Sequence, residues 1–265
     1  MCLIAIAWKT RPDLPLALIA NRDEFHDRPA AAAAFDPAAA DVYGGRDLVQ
    51  GGSWLLASSR RRLAAVTNVR AGALPEAAAL SRGWLVRDFV HGDASAEDFA
   101  RRLADTARDY GRFNLLVWDG DALWFASNHP GFTAAPVAPG LHAMSNGAFD
   151  AKWPKSTAAT RTLAGWLETS AGLPPSSLDD AAIEPLFAGL RDTRPAPDAA
   201  LPDTGVGLAL ERRLSPAFIE DPRYGTRCSS VVLVDRDGLW FCERRFDADG
   251  RVIDTSRQRL DLRAR

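Results

Sequence analysis

The chain has 265 residues, of which 47% are hydrophobic and 25% are charged, values typical of soluble globular domains. They exclude a disordered protein, a collagen-like chain and a small disulfide scaffold. The 32 Lys and Arg residues against 34 Asp and Glu residues give a net charge of −2, so we expect neither a nucleic-acid partner nor binding to an anionic membrane. No linker clearly divides the chain, and we expect one domain over residues 1–265.

The cysteines and the hydropathy pattern bear on the cellular compartment. Cys2, Cys228 and Cys242 cannot all pair, and none belongs to a C-x-x-C motif, so we expect no disulfide framework and no metal site. No apolar run approaches the ~18–20 residues that cross a bilayer. The apolar stretch at 2–8 precedes its positive charges, the reverse of a secretory signal. We therefore expect a cytoplasmic protein without membrane insertion.

The N-terminal residues predict a hairpin of two strands. Apolar residues alternate over 2–8, which indicates a buried strand with Cys2 and Ile4 on the same face. A second strand at 16–20 ends in the polar cluster 21–24, and the connection is short enough for the two strands to pair.

The remaining elements follow from turn residues, capping patterns and periodicity. In chain order they are an Ala-rich loop at 30–40, a hairpin at 54–58 and 63–69, helices at 76–90 and from 95 to about 110, a hairpin at 113–118 and 123–126, a strand at 141–145, helices at 156–168 and 178–190, a loop or lid at 191–205, and strands at 229–234, 239–244 and 251–256. Because hairpins outnumber strand–helix alternations, the pattern predicts an α+β fold with largely antiparallel sheets.

The common catalytic motifs are missing from the sequence. It contains no G-x-x-x-x-G-K, G-x-G-x-x-G, H-E-x-x-H or G-x-S-x-G pattern. The four histidines are scattered along the chain. The basic run at 60–62 falls at a predicted hairpin tip and is typical of a solvated turn rather than a nucleic-acid site.

The residue after the initiator methionine is a cysteine, and methionine is normally removed when the next residue is small. Removal leaves Cys2 with both a thiol and a free α-amine. Their ordinary pKa values of ~8.5 and ~7.7–8 suit proton transfer between them at neutral pH. This combination of nucleophile and base is the arrangement of N-terminal nucleophiles. A small buried cysteine at the start of a strand is the alternative explanation.

The predicted hairpin brings the polar cluster 21–24 to Cys2. A guanidinium beside a thiol favours the thiolate, and a carboxylate can hold an α-ammonium group through charge-assisted hydrogen bonds. A solvated turn with a local ion pair is the alternative. Arg22 and Asp23 face opposite sides of a regular strand, so we expect both to reach Cys2 only if the strand breaks there.

A series of motifs runs along the chain in a fixed order. They are Met1-Cys2, Asn21-Arg22-Asp23-Glu24, Gly44-Gly45-Arg46-Asp47, Gly51-Gly52-Ser53-Trp54, Lys152-Trp153-Pro154-Lys155 and Tyr224-Gly225-Thr226-Arg227-Cys228. These motifs resemble the NRDE family, whose eukaryotic members are called transport and Golgi organization protein 2. That family in turn is similar to the N-terminal nucleophile hydrolases of the cysteine type, which include penicillin V acylase and bile salt hydrolase. The resemblance implies a four-layer αββα sandwich with the nucleophile at the end of a central strand.

The resemblance implies catalytic roles for the N-terminal residues. Cys2 would be the nucleophile with its own α-amine as the base, Arg22 would hold the thiolate, and Asp23 would orient the amine. The acylases usually separate their Arg and Asp by two residues, whereas the two are adjacent here. The choice between Asp23 and Glu24 therefore stays open.

The resemblance also implies residues that bind the substrate or its developing charge. Asn68 and Asn146 would donate amide hydrogen bonds to an oxyanion. Arg227 would close the pocket and meet a substrate carboxylate. The other residues expected to bind substrate are Asn21, Glu24, Trp54 and Trp153, and packing in the core is the alternative role for either tryptophan.

Two functions fit these residues. The first is an amidohydrolase that cleaves a linear or cyclic carbon–nitrogen amide bond of a small molecule through a thioester at Cys2, with no cofactor. The alternative, which the resemblance to the family implies, is a ligand-binding protein on the same scaffold that handles haem or a lipid-related small molecule. An axial ligand for haem would have to be a cysteine or one of the histidines His26, His91, His129 and His142.

Overall fold

The computed structural model describes residues 2–72, 78–172 and 179–263. Within them, the strands are β1 Cys2–Trp8, β2 Leu16–Phe25, β3 Ala30–Asp36, β4 Ala39–Asp47, β5 Leu55–Ser58, β6 Arg62–Asn68, β7 Phe113–Trp118, β8 Leu123–Ser127, β9 Thr133–Pro136, β10 Gly140–Met144, β11 Tyr224–Val234, β12 Gly238–Phe246 and β13 Val252–Asp261. The α-helices are α1 Gly83–His91, α2 Ala96–Arg102, α3 Pro154–Thr169, α4 Asp180–Leu190 and α5 Leu208–Leu214.

The strands form two antiparallel sheets. The first sheet has six strands in the order β10-β1-β2-β11-β12-β13, and the second has seven strands in chain order from β3 to β9. β1 and β2 are therefore central strands, and β2 is paired on both sides.

Three apolar clusters show how the elements are layered. One fills the space between the two sheets and contains Ile4 from β1 and Leu55 from β5. A second joins the opposite face of the first sheet, including Leu3, to α3 and α4. A third joins the outer face of the second sheet to α1 and α2 through residues such as Phe89. The order is thus helix, sheet, sheet, helix, which confirms the expected αββα sandwich.

The predicted end of the second strand is wrong. The apolar run was expected to stop the strand at 20, but β2 continues to Phe25. The polar residues stay in the strand because β1 and β11 both pair with it, with Arg22 opposite Cys2 on one side and Cys228 on the other. The polar cluster is therefore part of the sheet and not of a turn.

The Ala-rich segment predicted as a loop is also different. Residues 30–40 form β3, a turn and the start of β4. Alanine has no strand periodicity of its own, and the pairing is set by long-range contacts, among them the Ala33 N–H, which donates to Glu243 Oε1 over 2.8 Å. β9 and α5 were not predicted.

The helix predictions are confirmed in part. α2 begins as expected, with Ser95 Oγ accepting the Asp98 N–H at 3.0 Å, but it ends at Arg102 and two short 3₁₀ turns follow. Of the helix predicted at 76–90, residues 73–77 lie outside the described residues and the helical part starts at Gly83. The start predicted at 178 also lies outside them, and α4 begins at Asp180. No helix in the described ranges is long and apolar enough to cross a membrane.

Candidate functional site

Cys2 opens β1 and lies opposite Arg22 on β2. Both side chains fall on the face between the sheets, because Ile4 and Ala20, two positions away on each strand, belong to the inter-sheet cluster. The Cys2 carbonyl accepts a hydrogen bond from Ser145 Oγ at 3.0 Å, which ties β1 to the end of β10. Cys2 and Arg22 line a narrow pocket of about 120 Å³.

Arg22 is fixed by stacking and charge. Its side chain is only 6% exposed, its guanidinium carbon lies 4.2 Å from the centre of the Trp54 ring, and one Nη lies 3.9 Å from Glu24 Oε2. Glu24 is shared with Arg28, whose Nε lies 3.7 Å from the same oxygen. A buried cation whose side chain donates no hydrogen bond among the described residues therefore faces the thiol across the strand pair.

The Cys2 thiol experiences opposing influences. Burial raises its pKa, and the negative charge of Asp23 raises it further. The charge of Arg22 and the backbone N–H of Asp23 act in the other direction and favour the thiolate. The balance leaves the thiol pKa above its ordinary value.

Asp23 lies in the same pocket although β2 does not break. The register places it one position beyond Cys2 on the neighbouring strand, on the side from which the α-amine of a trimmed chain would extend. Its Oδ1 accepts the Thr226 hydroxyl at 2.7 Å, and its carbonyl accepts the Tyr224 hydroxyl at 3.0 Å. Burial raises the pKa of its carboxyl group, while the charge of Lys155 lowers it.

Lys155 is a buried charge near Asp23 that sequence reasoning did not select. It lies in the first turn of α3, is 4% exposed, and donates from Nζ to the Leu214 carbonyl at 3.0 Å. Burial lowers its pKa, and the negative charges of Asp23 and Cys2 oppose that effect. The available signal was its place beside Trp153 in one of the recognised motifs, in a chain with only three lysines.

The two predicted oxyanion donors have different positions. Asn68, at the end of β6, lines the Cys2 pocket. Asn146 is fully buried and donates from Nδ2 to the Asn68 carbonyl at 2.9 Å. Asn146 is not among the residues that line the pocket, so it lies behind Asn68 and holds it.

Asn21 is not brought to Cys2. Its Nδ2 donates to the carbonyls of Leu190 and Ala217, both at 2.8 Å, and its Oδ1 accepts Ser229 Oγ at 2.6 Å. It faces the helix layer because it alternates with Arg22 along β2. Its amide therefore links the first sheet to the chain after α4.

Arg227 and Trp153 also lie outside the pocket. Arg227 sits at a register shift in β11, and its Nη1 donates to the carbonyl of Phe25 at 2.7 Å and that of His26 at 3.0 Å. Burial lowers its pKa. Trp153 packs on Gly147, where a Cβ would lie 2.5 Å from the indole ring.

A larger groove of about 630 Å³ adjoins the Cys2 pocket, and Glu24 and Asn68 line both. Its walls are mainly apolar, and part of them comes from the segment predicted as a loop or lid. Thr204, within that segment, accepts the Arg70 Nε–H at 2.8 Å, and Arg70, which follows β6, also pairs with the buried Glu211 of α5 at 2.5 Å. The apolar wall residues include Phe25, Leu210, Leu214, Phe218, Ile219 and Tyr224.

Neither cavity offers a histidine to a metal or haem. His26, His91, His129 and His142 are absent from the lining of both. His142 is engaged by Asp150 at 2.7 Å, and the ring of His26 contacts the Asp221 carbonyl at 3.0 Å. In the described part of the chain, no group of three or more His, Cys, Asp and Glu side chains is placed to hold a metal ion.

The fold and the site define an αββα sandwich whose first strand presents a cysteine to a buried arginine. Residues 1–248 match the family described as Transport and Golgi organisation 2. The Transport and Golgi organization protein 2 homolog of Bos taurus is 32% identical over 264 residues, with 92% of each chain covered. That of Homo sapiens is 30% identical over 260 residues, again with 92% of each covered. The chain belongs to this family, as its motifs indicated.

Two solved structures are more distantly similar. A variant of conjugated bile acid hydrolase from Clostridium perfringens is 7% identical with a TM-score of 0.49, covering 100% of this chain and 99% of the other. The N-acylethanolamine-hydrolyzing acid amidase ortholog of Caenorhabditis elegans is 10% identical with a TM-score of 0.47, covering 88% and 92%. Neither similarity bears on the activity of this chain.

Proposed function

We propose that the chain is an amidohydrolase that uses Cys2, exposed by removal of Met1, as an N-terminal nucleophile. The observation that carries the proposal is the placement of Cys2 opposite the buried Arg22 in a narrow pocket that shares two wall residues with a larger groove. Cys228 also lies opposite Arg22 but is not among the residues that line the pocket, so access to the pocket is what distinguishes Cys2.

The reaction would proceed in two stages. The α-amine accepts the thiol proton, and the sulfur attacks the amide carbon to give a tetrahedral oxyanion. The α-ammonium then returns the proton to the leaving nitrogen, the carbon–nitrogen bond breaks, and a thioester remains on Cys2. Water, deprotonated by the same amine, attacks the thioester and releases the acid and the free thiol.

The protein groups have distinct tasks in this scheme. Arg22 stabilises the thiolate, and Asp23 holds the α-ammonium in place through its charge. Asn68 lines the pocket, and its side-chain amide would donate a hydrogen bond to the developing oxyanion. Asn146 contributes indirectly, by fixing the Asn68 backbone.

The cavities set where a substrate would lie. The pocket of about 120 Å³ has room for the reacting amide and little more. The rest of the molecule would extend past Glu24 and Asn68 into the groove. We therefore expect a small-molecule amide substrate.

Intact-protein mass spectrometry tests the proposal. The native protein is weighed before and after brief exposure to iodoacetamide at neutral pH, and the label is mapped to a residue. We expect a mass without Met1 and one rapid alkylation at Cys2, which Cys2→Ala abolishes while the melting temperature is unchanged. Cys242→Ser is the matched control and should label as the parent does.

Two results would overturn the proposal. One is a retained Met1, which leaves no α-amine on Cys2. The other is a Cys2 thiol that reacts no faster than the buried Cys228 and Cys242. If Cys2 passes both tests, amide libraries identify the substrate, and turnover retained by Cys2→Ala would still exclude the mechanism.

A further inference from the structure

We propose that Trp54 is a positioning residue that holds the Arg22 guanidinium toward the Cys2 thiol. The inference rests on the proposed function, because it assigns Trp54 to the nucleophile rather than to substrate binding. Both residues line the Cys2 pocket, with the guanidinium carbon 4.2 Å from the centre of the Trp54 ring. At that distance, a cation over an aromatic face is attracted to it.

The first step of the argument is that Arg22 needs an external support. Within the described residues, its side chain donates no hydrogen bond, and its contacts are the Trp54 ring and the Glu24 carboxylate. A guanidinium has five N–H donors on a long flexible chain. Stacking on Trp54 is therefore the contact that fixes the plane of the group.

The second step is that the Glu24 carboxylate attracts the Arg22 guanidinium away from the Cys2 thiol. Glu24 Oε2 lies 3.9 Å from Arg22, beyond hydrogen-bond distance. It is also 3.7 Å from Arg28, which is bound to Asp47 at 2.6 Å. A free Arg22 side chain would close the gap to Glu24 and move off the Cys2 thiol, and the indole face prevents this.

The third step is that Trp54 is itself fixed by its surroundings. A Cβ at Gly45 would lie 2.1 Å from the indole Cζ2, so only glycine on β4 lets the ring lie there. The Trp54 carbonyl accepts the Val66 N–H at 3.0 Å. The indole Nε1 is buried and has no hydrogen-bond partner among the described residues. The interaction that the Trp54 side chain offers Arg22 is therefore that of its aromatic face.

The test measures the pH dependence of Cys2 alkylation in the full-length protein, with the label mapped by mass spectrometry. Trp54→Leu should raise the pH midpoint and lower the rate at neutral pH by roughly tenfold, because an opposite charge held nearby lowers a pKa by one unit or more. Trp54→Phe keeps an aromatic face and should restore most of the rate. Gly45→Ala should act like Trp54→Leu by displacing the ring.

The matched control is Trp84→Leu. Trp84 is 37% exposed on α1, lies outside the lining of the pocket, and has its own arginine, Arg87, at 5.3 Å. Its loss should leave the Cys2 midpoint unchanged. Circular dichroism and melting temperature show which variants are folded, and the comparison is made among those.

The Arg22→Gln variant separates this inference from the proposed function. If Arg22→Gln moves the midpoint and Trp54→Leu does not, the positioning role is wrong and the proposed function stands. If neither moves it, the role of Arg22 in the proposed function is wrong as well. A midpoint that moves in Trp54→Leu and returns in Trp54→Phe supports the positioning role.

Discussion

Cys2 and Arg22 face each other across β1 and β2, with both side chains directed between the sheets. On the other side of β2, Arg22 is opposite Cys228 in β11. One buried guanidinium is thus flanked by two thiols on neighbouring strands. The two differ in their surroundings, since Cys228 is 3% exposed, and burial together with the negative charge of Glu243 raises its pKa well above the ordinary value. Cys2 lines the pocket of about 120 Å³, and Cys228 is not among its lining residues.

Lys155→Met should raise the pKa of the Asp23 carboxyl group. Removing a buried positive charge removes part of what stabilises the carboxylate against burial, so Asp23 would be protonated at a higher pH. Carbon-13 NMR of aspartate side chains measures this titration, with the Asp23 signal assigned from its loss in Asp23→Asn.

The neighbouring exposed lysine supplies the control for this experiment. Lys152→Met removes the same charge three positions earlier, from a side chain in water, and should leave the Asp23 midpoint where it is. Equal Asp23 titration midpoints in the parent, Lys155→Met and Lys152→Met would show that Lys155 and Asp23 do not interact.

The N-terminal hairpin could be predicted because its signals are local. The apolar alternation and the short connection fix which residues pair, and alternation puts Arg22 and Asp23 on opposite faces of β2. The contacts that decide their surroundings are not local. The Trp54 ring lies over Arg22 only because Gly45, on a different strand, leaves room for it.

The missed hairpin of β3 and β4 has a similar cause. Its alanines carry no periodicity that distinguishes a strand from a loop, and the strand pairing depends on long-range partners.

Long-range contacts also decide the position of Asn21, whose amide was expected near Cys2. Its partners, the carbonyls of Leu190 and Ala217, come from a layer that no local pattern connects to β2.

Glu211→Ala should destabilise the protein by about 3–5 kcal/mol, the usual cost of leaving a buried charge without its partner. Glu211 is 3% exposed, pairs with Arg70 at 2.5 Å, and accepts the N–H and the hydroxyl of Thr204 at 2.9 and 2.6 Å. Urea unfolding measures the change. The control is Asp198→Ala, which removes the exposed pair with Arg212 and should not shift the midpoint measurably. A similar urea midpoint for both variants would mean that the buried pair does not hold α5 to the chain that follows β6.

The free energy of unfolding should decrease less with rising pH in Glu243→Gln than in the parent. Burial raises the pKa of Glu243 above its ordinary value of 4.5, so the folded state keeps a proton that the unfolded state loses. The stability contributed by this proton is complete below pH 4.5 and is lost as the pH rises through the folded-state value. Glutamine cannot ionise and still offers an oxygen to the Ala33 N–H.

The measurement is the free energy of unfolding in urea at several pH values from 4 to 8. Subtracting the variant from the parent isolates Glu243 from other buried acids. Glu184→Gln is the control. The Arg244 hydrogen bond lowers the pKa of Glu184, so the stability that this carboxylate contributes is lost as the pH falls, the reverse of Glu243. Its effect should be small, since that side chain is 52% exposed. Parallel curves for the parent and Glu243→Gln would contradict a raised pKa.

Gly52→Ala should destabilise the wall of the Cys2 pocket by about 1–3 kcal/mol, as overpacking usually does. A Cβ at Gly52 would lie 2.4 Å from the carbonyl carbon of Gly83, which is backbone at the start of α1 and has no flexible end to move aside. The two backbones also share a hydrogen bond, from the Ser53 N–H to the Gly83 carbonyl at 3.1 Å. Urea unfolding again gives the change.

Gly165→Ala is the matched substitution with the opposite expected sign. Gly165 lies inside α3, and a Cβ there would meet nothing within 4 Å. Alanine costs less conformational entropy in a helix, so this variant should be about 0.5–1 kcal/mol more stable than the parent. If Gly52→Ala were as stable as Gly165→Ala, the β4–β5 connection would not be in close contact with α1. The pocket around Cys2 would then be wider than described.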